Sequence, residues 1–182
     1  MASFFPIFFS LLWLAYACDR KDMVSPFVEE CDDDWIPFGD HCYHFSDNRL
    51  SWYDAKKYCN RQKSYLARSE TPKENIWLQM QLRISNREKS WIGGTDAGHE
   101  SNWRWESDAE TIDYKNFYKP QPDNGGGNEH CLEMNGSGVT STYMWNDRPC
   151  ETQSKFVCEK SKKKRGHQPD RLATTLHNSK GK

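Results

Sequence analysis

Seven cysteines stand in this chain of 182 residues, and six of them fall between Cys31 and Cys158. Whether they are free thiols or staples depends on where the chain folds, and the N-terminus speaks to that. Phe4 to Ala17 is an uncharged apolar stretch, shorter than the ~20 residues a helix needs to cross a bilayer. It ends in Ala15-Tyr16-Ala17, the small-x-small pattern accepted at secretory cleavage sites. No Lys or Arg precedes the run, so an uncleaved anchor competes, but length and flanks favour a signal peptide over residues 1–17. An exported chain meets an oxidising compartment in which disulfides persist. Cys31, Cys42, Cys59, Cys131, Cys150 and Cys158 then form a covalent framework, although spacing alone leaves many pairings open. Cleavage after Ala17 leaves Cys18 as the first mature residue and the odd cysteine, which points to a bridge with a second chain and hence a disulfide-linked homodimer. Cleavage one residue later would remove it, with Tyr16 in the third position before the cut, a poorer fit.

The apolar content, 36%, and a mean hydropathy of −0.98 are low, yet the chain holds eight Trp, nine Phe and eight Tyr. Aromatic side chains bury large areas each, so a small core suffices. Charge is uneven: residues 160–182 carry eight basic residues and one acid, residues 1–159 seventeen basic and twenty-five acidic. An acidic body excludes a nucleic-acid interface, which needs a positive footprint. Residues 18–30 read as a polar linker, 31–159 as one domain, and 160–182 as a basic, unstructured tail. No second apolar run reaches membrane-spanning length.

Local patterns place two helices. Over Leu50–Cys59, Trp52, Ala55 and Cys59 recur at helical spacing behind Ser51 as N-cap. Over Thr71–Leu82, Thr71 caps, Pro72 suits the first turn and Glu74 completes a capping box; Ile76, Trp77, Met80 and Gln81 share a side. "SWIGG" and "NWRWES" read as short strands, with Trp103 and Trp105 on one core-facing side, and "STYMWND" and "KFVCEK" as closing strands. From about Glu106 to Gly138 no periodicity emerges, and a loop that long in a compact domain is expected to be functional.

That loop holds "QPDNGGGNEHC", Gln121 to Cys131. Gln121, Asp123 and Glu129 supply oxygens there, and Asn146 and Asp147 supply more just before Cys150. Three carboxylates and two amides, with no thiolate, suit Ca²⁺, which takes six to eight oxygen ligands. The glycines allow turns through positive φ and close approach. A cis bond before Pro122 would bring Gln121 and Asp123 to one face. The loop reads as pliable until an ion orders it.

From Cys31 to Glu159 the chain resembles the C-type lectin domain: Trp52, Ala55 and Cys59 in the first helix, "WIGG" at 91–94, "QPD" at 121–123, Glu129 two residues before Cys131, "WND" at 145–147, and Cys150 and Cys158. A second "QPD" at Gln168–Asp170 lacks these partners. The resemblance implies an α+β fold of two helices and small antiparallel sheets, with a long calcium-binding loop stapled by Cys31–Cys42, Cys59–Cys158 and Cys131–Cys150. It also implies that Gln121, Asp123, Glu129, Asn146 and Asp147 bind both Ca²⁺ and sugar. The order amide-Pro-acid implies galactose or N-acetylgalactosamine, on glycoproteins or cell surfaces. No Trp follows the triplet to stack on the sugar; Tyr118 and Tyr143 are the candidates for that contact. The family's auxiliary calcium site maps to Asp96, Glu100, Asn124, Glu129 and His130, where Asn124 and His130 replace acids and weaken it.

Other features read more plainly. Trp145 is expected beneath the site, His41 and His44 as surface residues, and Asn135-Gly136-Ser137 as an N-glycosylation sequon. "KSKKKR" is a solvated run or a patch for heparin or anionic membrane. No nucleophile pairs with a base, so the expectation is a secreted, non-enzymatic lectin. The alternative is an interaction module for matrix, mineral or protein on the same fold without sugar binding.

Overall fold

The computed structural model describes residues 31–87, 89–135 and 144–163; the expected signal peptide and linker, Cys18, most of the basic tail and Tyr143 lie outside them. The elements run β1 (Ile36–Phe38), β2 (His41–Leu50), α1 (Trp52–Arg61), β3 (Tyr65–Leu66), α2 (Pro72–Ile84), β4 (Lys89–Thr95), β5 (Arg104–Trp105), β6 (Glu129–Asn135), β7 (Met144–Pro149) and β8 (Ser154–Ser161).

Both helices begin where side-chain oxygens satisfy orphan N–H groups. The Ser51 hydroxyl accepts from the Asp54 N–H at 3.2 Å, and Thr71 Oγ1 from the Glu74 N–H at 3.2 Å. Helix α1 buries Trp52, Ala55 and Cys59. Helix α2 corrects the sequence reading: its buried residues are Glu74, Asn75, Leu78 and Leu82, while Ile76 and Met80 face solvent. The cause is a polar residue with work in the core. Asn75 Oδ1 accepts from the buried Trp145 indole N–H at 2.9 Å and from the Ser69 hydroxyl at 3.1 Å, a requirement that hydropathy does not register.

The strands join in one network ordered β1-β2-β8-β4-β6-β7, with β3 on β8 and β5 on β4. One pairing departs from the antiparallel expectation: β4 and β8 run parallel, through Ser90–Lys155 and Trp91–Phe156. That seam divides the core. On one side lie Leu78, Leu82, Trp103, Trp105, Leu132 and Trp145; on the other Trp52, Leu66, Trp91 and Phe156. Disulfides Cys31–Cys42, Cys59–Cys158 and Cys131–Cys150 pin the first hairpin, α1 to β8, and the β6–β7 end. Strand β6 was not visible in the aperiodic stretch, because all four of Cys131, Leu132, Glu133 and Met134 are buried, leaving no alternation to detect. Buried Glu133 is held at 2.9 Å by Arg148 and at 2.7 Å by Ser154.

Candidate metal centre

Strands β6 and β7 pair antiparallel, with Leu132 opposite Asp147 and Glu133 opposite Asn146. Their common end is clamped by Cys131–Cys150. The register therefore carries Glu129, at the start of β6, toward the Asn146-Asp147 pair. The loop bearing Gln121 and Asp123 is laid against β7 by backbone bonds: Trp145 N–H to Asn116 O at 2.8 Å and Tyr118 N–H to Trp145 O at 3.3 Å. Trp145 is fully buried, packed edge-on to Tyr114 and Phe117 beneath this junction.

Carboxylate oxygens of Asp123, Glu129 and Asp147 lie within 4.8 Å of one another. Asp147 is almost inaccessible, and its two oxygens accept from the Asn124 N–H at 2.7 Å and the Asp123 N–H at 3.3 Å. The loop is thereby folded down onto β7. Glu129 Oε2 accepts from the Gly125 N–H at 3.0 Å, so a Cβ at position 125 would press on that carboxylate. Gly126 takes φ +69°, a region that side chains disfavour. The glycine run is thus used for close approach and for a left-handed turn. The two amides have defined partners. Gln121 Oε1 accepts from the Asp123 N–H at 3.1 Å. Asn146 Oδ1 accepts from the Tyr118 hydroxyl at 2.8 Å, and its Nδ2 donates to Asp147 O at 2.6 Å. The Gln121–Pro122 bond is cis.

Among the described residues no Lys or Arg forms an ion pair with Asp123, Glu129 or Asp147; Arg148, next along β7, is paired with Glu133. Burial pushes the Glu129 carboxyl above its usual range, and the charges of Asp147 and Asp123 push it further, against the opposing bond from Gly125. Three hard oxygen donors held together with no ion-paired cation, the Arg148 charge reaching Glu129 only as the smallest of the influences on it, are what a divalent cation relieves.

The auxiliary positions are engaged differently. His130 Nδ1 lies 3.0 Å from Asp96 Oδ1 and 3.6 Å from Glu100 Oε2, and Asn124 Nδ2 donates to Glu100 at 2.7 Å. A third group corrects the reading of His41 as a plain surface residue. Its Nδ1 lies 3.2 Å from the buried Glu159, with Glu74 alongside. His44 stacks beside Trp35 and Tyr58. Asn135 closes β6, and the rest of its sequon lies outside the described residues.

In sequence Tyr118 reads only as a candidate stacking ring. Its structural role is different: besides the hydroxyl bond to Asn146, its carbonyl accepts from the Gln121 N–H at 2.6 Å. It thus joins the two chain segments of the centre, 28 residues apart in sequence, and no local pattern announces that. Tyr118→Phe removes only the hydroxyl. The expected result is up to roughly a fivefold loss of calcium affinity, about 1 kcal/mol for one hydrogen bond, with a melting temperature in chelator lowered by a few degrees, because the same bond is made in the ion-free fold. Isothermal titration with CaCl₂ checks it.

A model of the lectin C-type domain matches residues 48–160. The chain is 35% identical to perlucin of Haliotis laevigata over 132 residues, 69% of this chain and 83% of perlucin. Its fold is similar to the carbohydrate-recognition domain of the mouse scavenger receptor C-type lectin: TM-score 0.67, 34% identity, 75% of this chain and all of that one. It is also similar to the type II antifreeze protein of herring, with TM-score 0.65 and 31% identity over 73% of this chain and all of that one.

Proposed function

This chain belongs to the C-type lectin domain family, and on that premise we propose that it is a secreted, calcium-dependent lectin for galactose-type glycans. The observation that carries the reading is the Asp123-Glu129-Asp147 cluster, whose carboxylates converge within 4.8 Å beside the amides of Gln121 and Asn146. These five residues would hold calcium. When bound, the ion supplies coordination to a pair of neighbouring sugar hydroxyls. The chain's own groups do the rest: carboxylates accept and amides donate to the same hydroxyls. Gln121 before Pro122 and Asp123 after it set which side donates and which accepts, and this order supports galactose or N-acetylgalactosamine. Binding of this kind is reversible and makes or breaks no covalent bond. Secretion is supported by the apolar N-terminus and by three disulfides, and no helix among the described residues is long and apolar enough to cross a membrane. A homodimer bridged through Cys18 completes the reading, since sites gripping two hydroxyls each gain strength mainly by multivalency.

The test is retention on immobilised galactose in calcium and elution by chelator. Elution by acid is expected as well, beginning above the ordinary carboxylate range, because Glu129 takes up its proton early and calcium requires the carboxylate. Retention that persists in chelator would refute the proposal. The similarity to herring antifreeze protein keeps a second reading in view, an interaction module that does not use sugar. That reading predicts partner binding unaffected by Gln121→Ala with Asp123→Ala.

A further inference from the structure

Strand β8 lies between β2 and β4, and at one end of this trio three cations meet. Leu50 of β2 pairs with Ser154 of β8, and Ser90 of β4 with Lys155 of β8. The register therefore brings Arg49, Lys155 and Lys89, on three adjacent strands, to one level. Together with Asn86 they line a pocket of about 370 Å³. Asn86 sits at φ +53° in the turn that follows α2. Every one of these side chains carries N–H donors, and none is a carboxylate.

Like charges on neighbouring strands repel, and here the repulsion is only partly answered. Lys155 Nζ lies 3.4 Å from Asp47 Oδ1, an oxygen that Arg87 already holds at 3.0 Å. Among the described residues no ion pair involves Arg49 or Lys89. Counting Glu88 by sequence alone, Arg49, Arg87, Lys89 and Lys155 stand against two acids. This is a positive excess on a body that is acidic as a whole, and an anion relieves it. A guanidinium forks a pair of oxygens while ammonium groups add charge to the rest, a combination suited to a sulfate or phosphate ester. The volume falls within the ~300–1,000 Å³ of small-ligand sites, so it admits the sugar that carries such a group. No aromatic side chain lines the pocket, which leaves no platform for stacking nucleic-acid bases.

We infer that this pocket binds sulfate esters of an acidic polysaccharide, at a site separate from the metal centre. The choice of sulfate over phosphate rests on the export proposed above: three disulfides suit an oxidising, extracellular setting, where sulfated polysaccharides are abundant polyanions. The separation follows from the sheet. Lys89 lies opposite Asn135 at the end of β6, whereas the metal centre takes Glu129 at its start. At ~3.3 Å per residue the length of β6 puts about 20 Å between them. A carboxylate cluster that wants a cation and a row of cations that wants an anion thus occupy opposite ends of one strand. Binding at the pocket needs no calcium.

The experiment is calorimetric titration, in chelator, with a fully sulfated heparin tetrasaccharide and with its desulfated form. Lys162, Lys163, Lys164 and Arg165 are first replaced by Ser, since that basic run would bind the same probe. In this chain Arg49→Gln with Lys89→Gln is expected to lower affinity ~10-fold or more, the loss of two charge-assisted contacts. Arg49→Gln alone, the milder variant, is expected to cost about threefold. Lys57→Ala with Arg61→Ala takes the same charge from α1 and is expected to cost less than about twofold, as a screened, distant charge would. Melting curves verify that each variant folds. Equal losses from the pocket and the α1 variants overturn the inference, because charge anywhere would then suffice. Equal affinity for the desulfated tetrasaccharide overturns it too, as does stronger binding to phosphatidylserine vesicles than to the sulfated probe. The titration is read without calcium, so its failure and a failure of galactose binding are separate results.

Discussion

Asp147→Asn is expected to lower calcium affinity by ~100-fold or more, the upper end of what the loss of even a supporting group costs a metal site. Retention on galactose should be lost with it. Asparagine keeps the size of the side chain and one acceptor oxygen, which serves the shorter bond from the Asn124 N–H at 2.7 Å, while the longer bond from the Asp123 N–H at 3.3 Å is given up, so most of the docking on β7 is kept. What is removed is one of three charges packed within 4.8 Å. Without the ion, that removal relieves repulsion on Glu129, which offsets the lost bond from the Asp123 N–H, so the variant should melt in chelator within a few degrees of the parent. Calorimetric titration with CaCl₂ and melting in chelator together read both effects. Binding within threefold of the parent would mean that the cluster is not the cation site. A much lower melting temperature in chelator would mean instead that Asp147 acts chiefly as a backbone staple.

The parts of this molecule legible in its sequence are those encoded locally. Ser51 and Thr71 announce helix starts because a cap needs only a hydroxyl and an N–H three residues on. The oxygen-rich loop and the Asn146-Asp147 pair are legible because donor chemistry is visible residue by residue. The parts that escaped depend on contacts between distant segments. Strand β6 is buried on both faces and shows no alternation. The inward face of α2 is set by Asn75, which answers a Trp145 indole seventy residues away. Ile76 and Met80 look like core in sequence and lie on the surface, because the side of α2 that carries Asn75 is the one turned inward. Tyr118 and His41 likewise take their roles from residues that share no sequence neighbourhood with them.

Glu159 is the clearest of these hidden groups, and Glu159→Gln is expected to abolish a pH dependence of stability. Burial raises its carboxyl from 4.5 to about 8, and the charge of Glu74 on α2 adds to this. Donors oppose the shift without cancelling it: the Arg68 N–H from beyond β3 at 2.7 Å and the Tyr65 hydroxyl at 3.0 Å; His41 Nδ1 of β2 lies 3.2 Å away. Tyr43 completes the surroundings by donating to Glu74 at 2.5 Å. The folded chain therefore holds a proton on Glu159 up to about pH 8, while the unfolded chain releases it near 4.5. Stability from this proton is complete below the lower value and is lost as pH rises through the higher one. Glutamine imitates the protonated acid and removes the titration. Between pH 5 and 8.5 the melting temperature of the parent, measured in chelator, should fall relative to the variant by on the order of 5 °C. The comparison must be relative, because Glu129, whose carboxyl is likewise raised, contributes a slope of the same sign in both proteins. A difference between parent and variant that stays constant across that range would show that Glu159 is already ionised in the fold, paired with His41 rather than protonated beside Glu74.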